Sequence, residues 1–188
     1  MMIKKKLRKL IGMIGLGLLA KNSIGHATDS VAANRIYESR SYLPFPVQKG
    51  GEKLDVLVKV EKTNRAYGFY LILVEDLSWP AKKVADLRRL YRGWVFGEEG
   101  TLPYPFRIRL QIDPLEKGNT TGIDLIVKDR SPAFSQYANQ DKEIWRAQAL
   151  HLSVLPEGVY RVRLENLVPM PQIDFATLFA FEKDTRKI

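Results

Sequence analysis

The sequence predicts a mainly β protein. Seven to eight antiparallel strands stack as a two-layer β-sandwich, with one helix in a crossover and a signal-peptide helix in front. Three observations carry this. Apolar residues recur at every second position in several short segments, as strands half-buried on a core require. Turn residues separate those segments at short intervals. A single stretch, Ser78 to Gly93, instead spaces its apolar residues for a helix.

The clearest element runs from Leu155 to Asn166. Pro156 and Gly158 form a turn, Gly158 supplying a positive φ, and a strand follows. Tyr160, Val162 and Leu164 share one face of it; Arg161, Arg163 and Glu165 share the other. Upstream, Ser41-Tyr42-Leu43-Pro44-Phe45-Pro46 is extended, and its prolines suit an edge. Leu54 to Val60 alternates cleanly. Tyr67 to Val74 is apolar on both faces and reads as a central strand. With the Leu54 segment it resembles a hairpin.

Ser78 is placed to cap the helix and Pro80 to occupy its first turn. Val84, Leu87 and Tyr91 follow at helical spacing, and Gly93 ends it. Phe106 to Ile112 alternates strictly. Ile123 to Asp129 is a strand with Ile123, Leu125 and Val127 inward. Residues 130 to 142 read as irregular. Ile144 to Leu155 changes the phase of its alternation, so a bent or bulged strand is expected. The last strand is Asp174 to Glu182. Residues 28–40 read as a loose lead-in and 41–188 as one domain.

Met1 to Ala27 has the three parts of a secretory signal peptide: basic residues to Lys9, an apolar run from Leu10 to Ala20, and Gly25-His26-Ala27 before the cleavage point. The run is shorter than the ~20 apolar residues a spanning helix needs. A periplasmic or secreted protein without a membrane anchor after cleavage is expected. The leader holds six of the 30 basic residues and none of the 21 acidic ones. It therefore supplies +6 of the formal charge of +9, leaving an ordinary mixed surface and weakening a nucleic-acid reading. Cysteine is absent, which excludes disulfides, thiolate metal sites, a cysteine nucleophile and a lipoprotein anchor. A core must then hold the fold, and about 160 mature residues suffice for one.

Leu155-x-x-Gly158-x-Tyr160 with its alternating strand resembles the entry to the penultimate strand of immunoglobulin-like and fibronectin-type sandwiches. The resemblance implies a tyrosine corner, with the Tyr160 hydroxyl bonded to backbone a few residues upstream. The mature chain also resembles a family of small exported bacterial proteins of unknown function. That resemblance lies in the Leu54 to Val74 pair, the Pro105-Phe106-Arg107-Ile108 strand and the Leu155 to Asn166 element. It implies an exported sandwich and no catalytic residues. Some small exported sandwiches neutralise secreted toxins, and by analogy an immunity role is one concrete expectation.

Chemistry-bearing motifs are sparse. His151 is the mature chain's one histidine. A hydrolase built on it needs Ser153 or Ser135 as nucleophile and Asp141 as orienting acid, and no nucleophile-elbow motif is present. One histidine without cysteine does not make a zinc site. Asp113, Glu116, Asn119 and Asp124 surround one loop but match no calcium motif. Gly97-Glu98-Glu99-Gly100 is acidic and ill-suited to phosphate. No cofactor is expected.

The basic helix face of Lys82, Lys83, Arg88, Arg89 and Arg92 reads by default as a solvated surface. The aromatic residues Trp79, Tyr91, Trp94, Phe96 and Tyr104, with Arg88 and Arg92, form the candidate partner-binding surface. The competing role for the aromatics is to plug the sandwich end beneath the helix. The expected function is non-enzymatic binding of another protein. A carbohydrate-binding module using the same aromatics is the alternative, and a His151 hydrolase the second. Mass spectrometry of the exported protein should find a mature N-terminus at Thr28; an intact Met1 would refute cleavage.

Overall fold

The computed structural model describes residues 35–62, 64–93, 103–116 and 121–184. These residues are mainly β, with two sheets rich in antiparallel pairs and one helix. The strands are β1 (Ile36–Tyr37), β2 (Ser41–Pro44), β3 (Lys53–Val60), β4 (Tyr67–Asp76), β5 (Ile108–Pro114), β6 (Ile123–Val127), β7 (Pro132–Ala138), β8 (Glu143–Ser153), β9 (Gly158–Asn166) and β10 (Thr177–Lys183); the helix α1 (Ala81–Arg92) lies between β4 and β5. One sheet has the order β1-β3-β9-β5-β6 and the other β2-β10-β4-β8-β7. All pairs are antiparallel except β1 with β3.

The inner faces of both sheets feed one buried cluster. Val56, Val58 and Val60 of β3 and Tyr160, Val162 and Leu164 of β9 enter from one side. Tyr67, Phe69, Leu71 and Leu73 of β4 and Phe179 and Phe181 of β10 enter from the other. The second face of β4 is also buried: Tyr70, Ile72 and Val74 form a smaller cluster with Ala147 and Ala180. The Tyr70 ring lies back over Gly68, where an added Cβ would collide with the phenol. Glycine there lets the aromatic ring cover the backbone.

Strand β9 sits between β3 and β5, as a strand with one apolar face predicts. The Tyr160 hydroxyl donates to the Pro156 carbonyl at 2.9 Å, the tyrosine-corner bond expected from the sequence. Gly158 has a φ of +156°, the positive value expected of the residue that ends this turn. On the outer face Arg161 binds Asp55, Arg163 binds Asp113, Lys53 binds Glu165 and Arg109 binds Asp124.

Four expectations need correction. β3 and β4 are not a hairpin, because they lie in different sheets. A strand apolar on both faces needs a neighbour along each edge, and β4 takes β8 and β10. Residues 132–138, read as irregular, form β7. Ile36 and Tyr37, placed in the lead-in, pair with β3, and the described residues hold ten strands. Ser78 does not cap α1: its amide and hydroxyl both bond the Asp76 carboxylate, and Pro80 is the capping residue. Other readings hold. Gly93 closes α1 at φ +83°, its amide on the Arg89 carbonyl at 2.7 Å. β8 carries a bulge opposite Phe69 and Tyr70.

The Tyr160 bond joins a buried ring to the turn that launches the central strand. Tyr160→Phe should lower stability by about 1 kcal/mol, the net worth of one such bond, in urea denaturation. An unchanged midpoint would deny the corner a structural role.

Candidate functional site

Helix α1 crosses from one sheet to the other and lays Leu87 and Tyr91 on the core. One side of it leaves a groove of about 570 Å³ against the segment that leads into β10. Its apolar wall is Pro80, Leu87, Leu90, Ile173 and Phe175. Lys82, Lys83, Asp86, Gln172 and Asp174 supply polar groups. Lys83 bridges the two sides, its ammonium 2.7 Å from Asp174. That hydrogen bond holds the Asp174 carboxyl below the ordinary carboxylate range.

Trp79 stands beside this groove. It is half-buried, with its ring 5.8 Å from that of Phe175 and the Lys83 ammonium 4.2 Å above it. An aromatic pair next to an ammonium is a cation–π arrangement with a polar handle.

The other residues of the expected surface lie elsewhere. Tyr91 is buried, and its hydroxyl donates to the Phe134 carbonyl at 3.1 Å, so its ring is a core element and not an exposed anchor. Its place in the helical stripe with Leu87 explains this. Tyr104 is half-buried against Phe106, with the Arg130 guanidinium 5.6 Å from its ring; burial raises its hydroxyl pKa. Arg88 and Arg92 are exposed, and Arg88 reaches back to Glu75. Trp94 and Phe96 lie outside the described residues.

Beneath the helix is a polar cluster that the sequence reading missed. Glu75 is fully buried at the end of the inner face of β4. Arg146 donates to it at 2.5 Å and Arg88 at 3.0 Å. Burial pushes the Glu75 carboxyl up, but the hydrogen bonds from Arg146 and Arg88 outweigh this and hold it below its ordinary value. Gln148, also buried, donates to the Tyr91 carbonyl at 2.5 Å and accepts from the Ser131 amide at 3.0 Å. These bonds clamp the C-terminal half of α1 onto β8. The signal available in the sequence was parity: Arg146 and Gln148 break the apolar pattern two residues apart.

His151 is half-buried, and burial lowers its pKa. Its Nε2 has no hydrogen-bond partner among the described residues. Ser135 instead accepts from Arg146 at 3.4 Å. The calcium candidates Asp113 and Asp124 are engaged by arginines, and Asn119 lies outside the described residues. Among the described residues no three His, Cys, Asp or Glu side chains converge as a metal site.

No family model matches the chain. No curated protein matches it either. A search of solved structures finds the crystal structure of GEBA250068378 from Sulfurospirillum deleyianum. It is 16% identical, with 79% of this chain and 99% of that one covered, at a TM-score of 0.49.

Removing one partner of a buried ion pair strands the other. Glu75→Gln should cost about 3 kcal/mol at neutral pH by chemical denaturation, and Glu75→Leu with Arg146→Met should recover most of it. A carboxyl lowered on folding adds stability above its unfolded value, near 4.5, and loses it as pH falls through the folded value. The wild type should therefore lose stability below about pH 4.5 more steeply than Glu75→Gln. Equal slopes would sink the assignment.

Proposed function

We propose that the protein is an exported β-sandwich of the bacterial envelope that binds another protein without catalysing a reaction. The groove between α1 and residues 172–175 carries this reading. It offers an open apolar trough with charged groups along it and an aromatic pair at its side. That combination suits an extended segment or helix of a partner, with Trp79 and Phe175 as anchors. The Tyr160 corner supports kinship with immunoglobulin-like folds, in which binding functions are common. Neutralisation of a secreted toxin is one form such binding would take. The leader-like N-terminus supports export with cleavage after Ala27.

The carbohydrate reading has less support. Sugar rings stack on free aromatic faces, and Trp79 is already engaged by Lys83 and Phe175. The hydrolase reading has the least, because His151 bonds neither Ser153, Ser135 nor Asp141.

Affinity capture from envelope extract tests the proposal. Trp79→Ala and Leu90→Glu are each expected to cut recovery of a specific protein partner at least about tenfold, the effect of losing roughly 1.4 kcal/mol at an anchor. Far-ultraviolet circular dichroism should be unchanged. Undiminished capture by both variants would remove the groove from the interface. Retention on peptidoglycan, lost in Trp79→Ala, would favour the carbohydrate reading instead.

A further inference from the structure

Each sheet ends in two edges, and they are not equally guarded. β1 is two residues long. β2 ends in Pro44 and is followed by Pro46. β7 begins at Pro132. Short edges and prolines are devices that discourage strand addition. β6 has neither. Its five residues, Ile123-Asp124-Leu125-Ile126-Val127, contain no proline or lysine, and among the described residues it pairs only with β5. Among the described residues no strand pairs with its far edge, and Ile126 on the outer face is 47% exposed.

The side chains along this edge are self-complementary. Asp124, Ile126 and Lys128 alternate to the outer face; Leu125 and Val127 face the core. Suppose a second β6 lies antiparallel to the first with Ile126 opposite Ile126. Then Asp124 of each chain falls opposite Lys128 of the other, and Leu125 falls opposite Val127. From Asp124 to Lys128 apolar meets apolar and acid meets base; beyond that stretch Ile123 falls opposite Asp129. Lys128 is exposed and has no ion-pair partner among the described residues. Asp124 stays charged, because its bonds from Arg109 hold its carboxyl down to about 2. Shifting the register by two residues, to centre on Leu125, loses this match by setting Asp124 against Ile126.

We infer that β6 is a homodimerisation edge, pairing antiparallel with β6 of a second copy about a two-fold axis at Ile126. Such an isologous contact closes on itself and makes the β6 edge unavailable for further growth. It joins the two β1-β3-β9-β5-β6 sheets into one ten-stranded sheet. A contact built on one short strand buries less than a standard interface, so the dimer is weak, with a dissociation constant on the order of micromolar.

The test uses the full chain as purified. Sedimentation equilibrium should show a concentration-dependent monomer–dimer equilibrium. Ile126→Lys and Lys128→Glu should each weaken it at least about tenfold with melting temperature preserved. Because the chain has no cysteine, Ile126→Cys places one thiol on the axis. Directly opposed Cβ atoms lie about 4.5–5.5 Å apart, close to disulfide reach. Mild oxidation should bridge Ile126→Cys at least about tenfold faster than Tyr137→Cys, an exposed control on β7. Three outcomes would each overturn the inference. One is a monomer up to about 1 mM. Another is a dimer indifferent to both charge-bearing variants. The third is bridging of Ile126→Cys only to a different polypeptide.

Discussion

A strand that is apolar on both faces has to be covered on both, and β4 imposes that constraint on the whole molecule. Tyr67, Phe69, Leu71 and Leu73 point into the shared core, while Tyr70, Ile72 and Val74 point away from it. Each large apolar side chain taken out of water contributes about 2 kcal/mol. Leaving either face wet would forfeit several of these. β4 must therefore sit inside its sheet, flanked by β8 and β10, and must also lie under the other sheet. β3 lies in the opposite layer, and its Val56, Val58 and Val60 help cover the inner face of β4. Glu75 is the consequence at the end of the strand. It continues the inward parity of Leu73, so its carboxylate is delivered into the core, and Arg146 and Arg88 are what make that position tenable.

This constraint also separates what could be read from the sequence from what could not. β9 was legible because Tyr160, Val162 and Leu164 have one apolar face and their neighbours one charged face. The period itself reports a strand with water on one side. The turn before it was legible through Tyr160, whose ring and hydroxyl have opposite needs. β7 was not legible. Phe134 packs toward Tyr70 at 5.1 Å while Tyr137 is 68% exposed, so its apolar residues obey no single period. β1 pairs through only two residues, too few for any pattern. The misread hairpin has the same origin: closeness in sequence favours pairing, but burial on two faces overrode it.

At the candidate site, legibility followed distance along the chain. Trp79 could be singled out from its size and its place beside the helix start. Phe175 and Asp174, which complete the groove, lie more than ninety positions away. They arrive only because β10 pairs with β4 and brings the segment before it under α1. Tyr91 was legible in principle, since its spacing from Val84 and Leu87 puts it on the buried stripe. Its aromatic character drew it into the surface set, whereas its helical phase assigned it to the core.

Many charges of the described residues are also paired. Along the outer face of the sheet containing β9, cross-strand pairs satisfy Asp55, Asp113, Asp124 and Glu165 in turn. Exposed pairs of this kind add little stability, but they leave no broad field of one sign to attract a partner. Lys83, Arg88 and Arg89 of the helix are likewise engaged by Asp174, Glu75 and Asp86. Long-range attraction is thus a poor basis for recognition by the described domain. The binding proposed above would then rest on shape and on local groups the fold leaves without partners. Among the described residues the groove at α1 is an open apolar trough, and no strand pairs with the β6 edge beside Ile126 and Lys128. Each is a place where the pairing that organises the rest of the molecule stops.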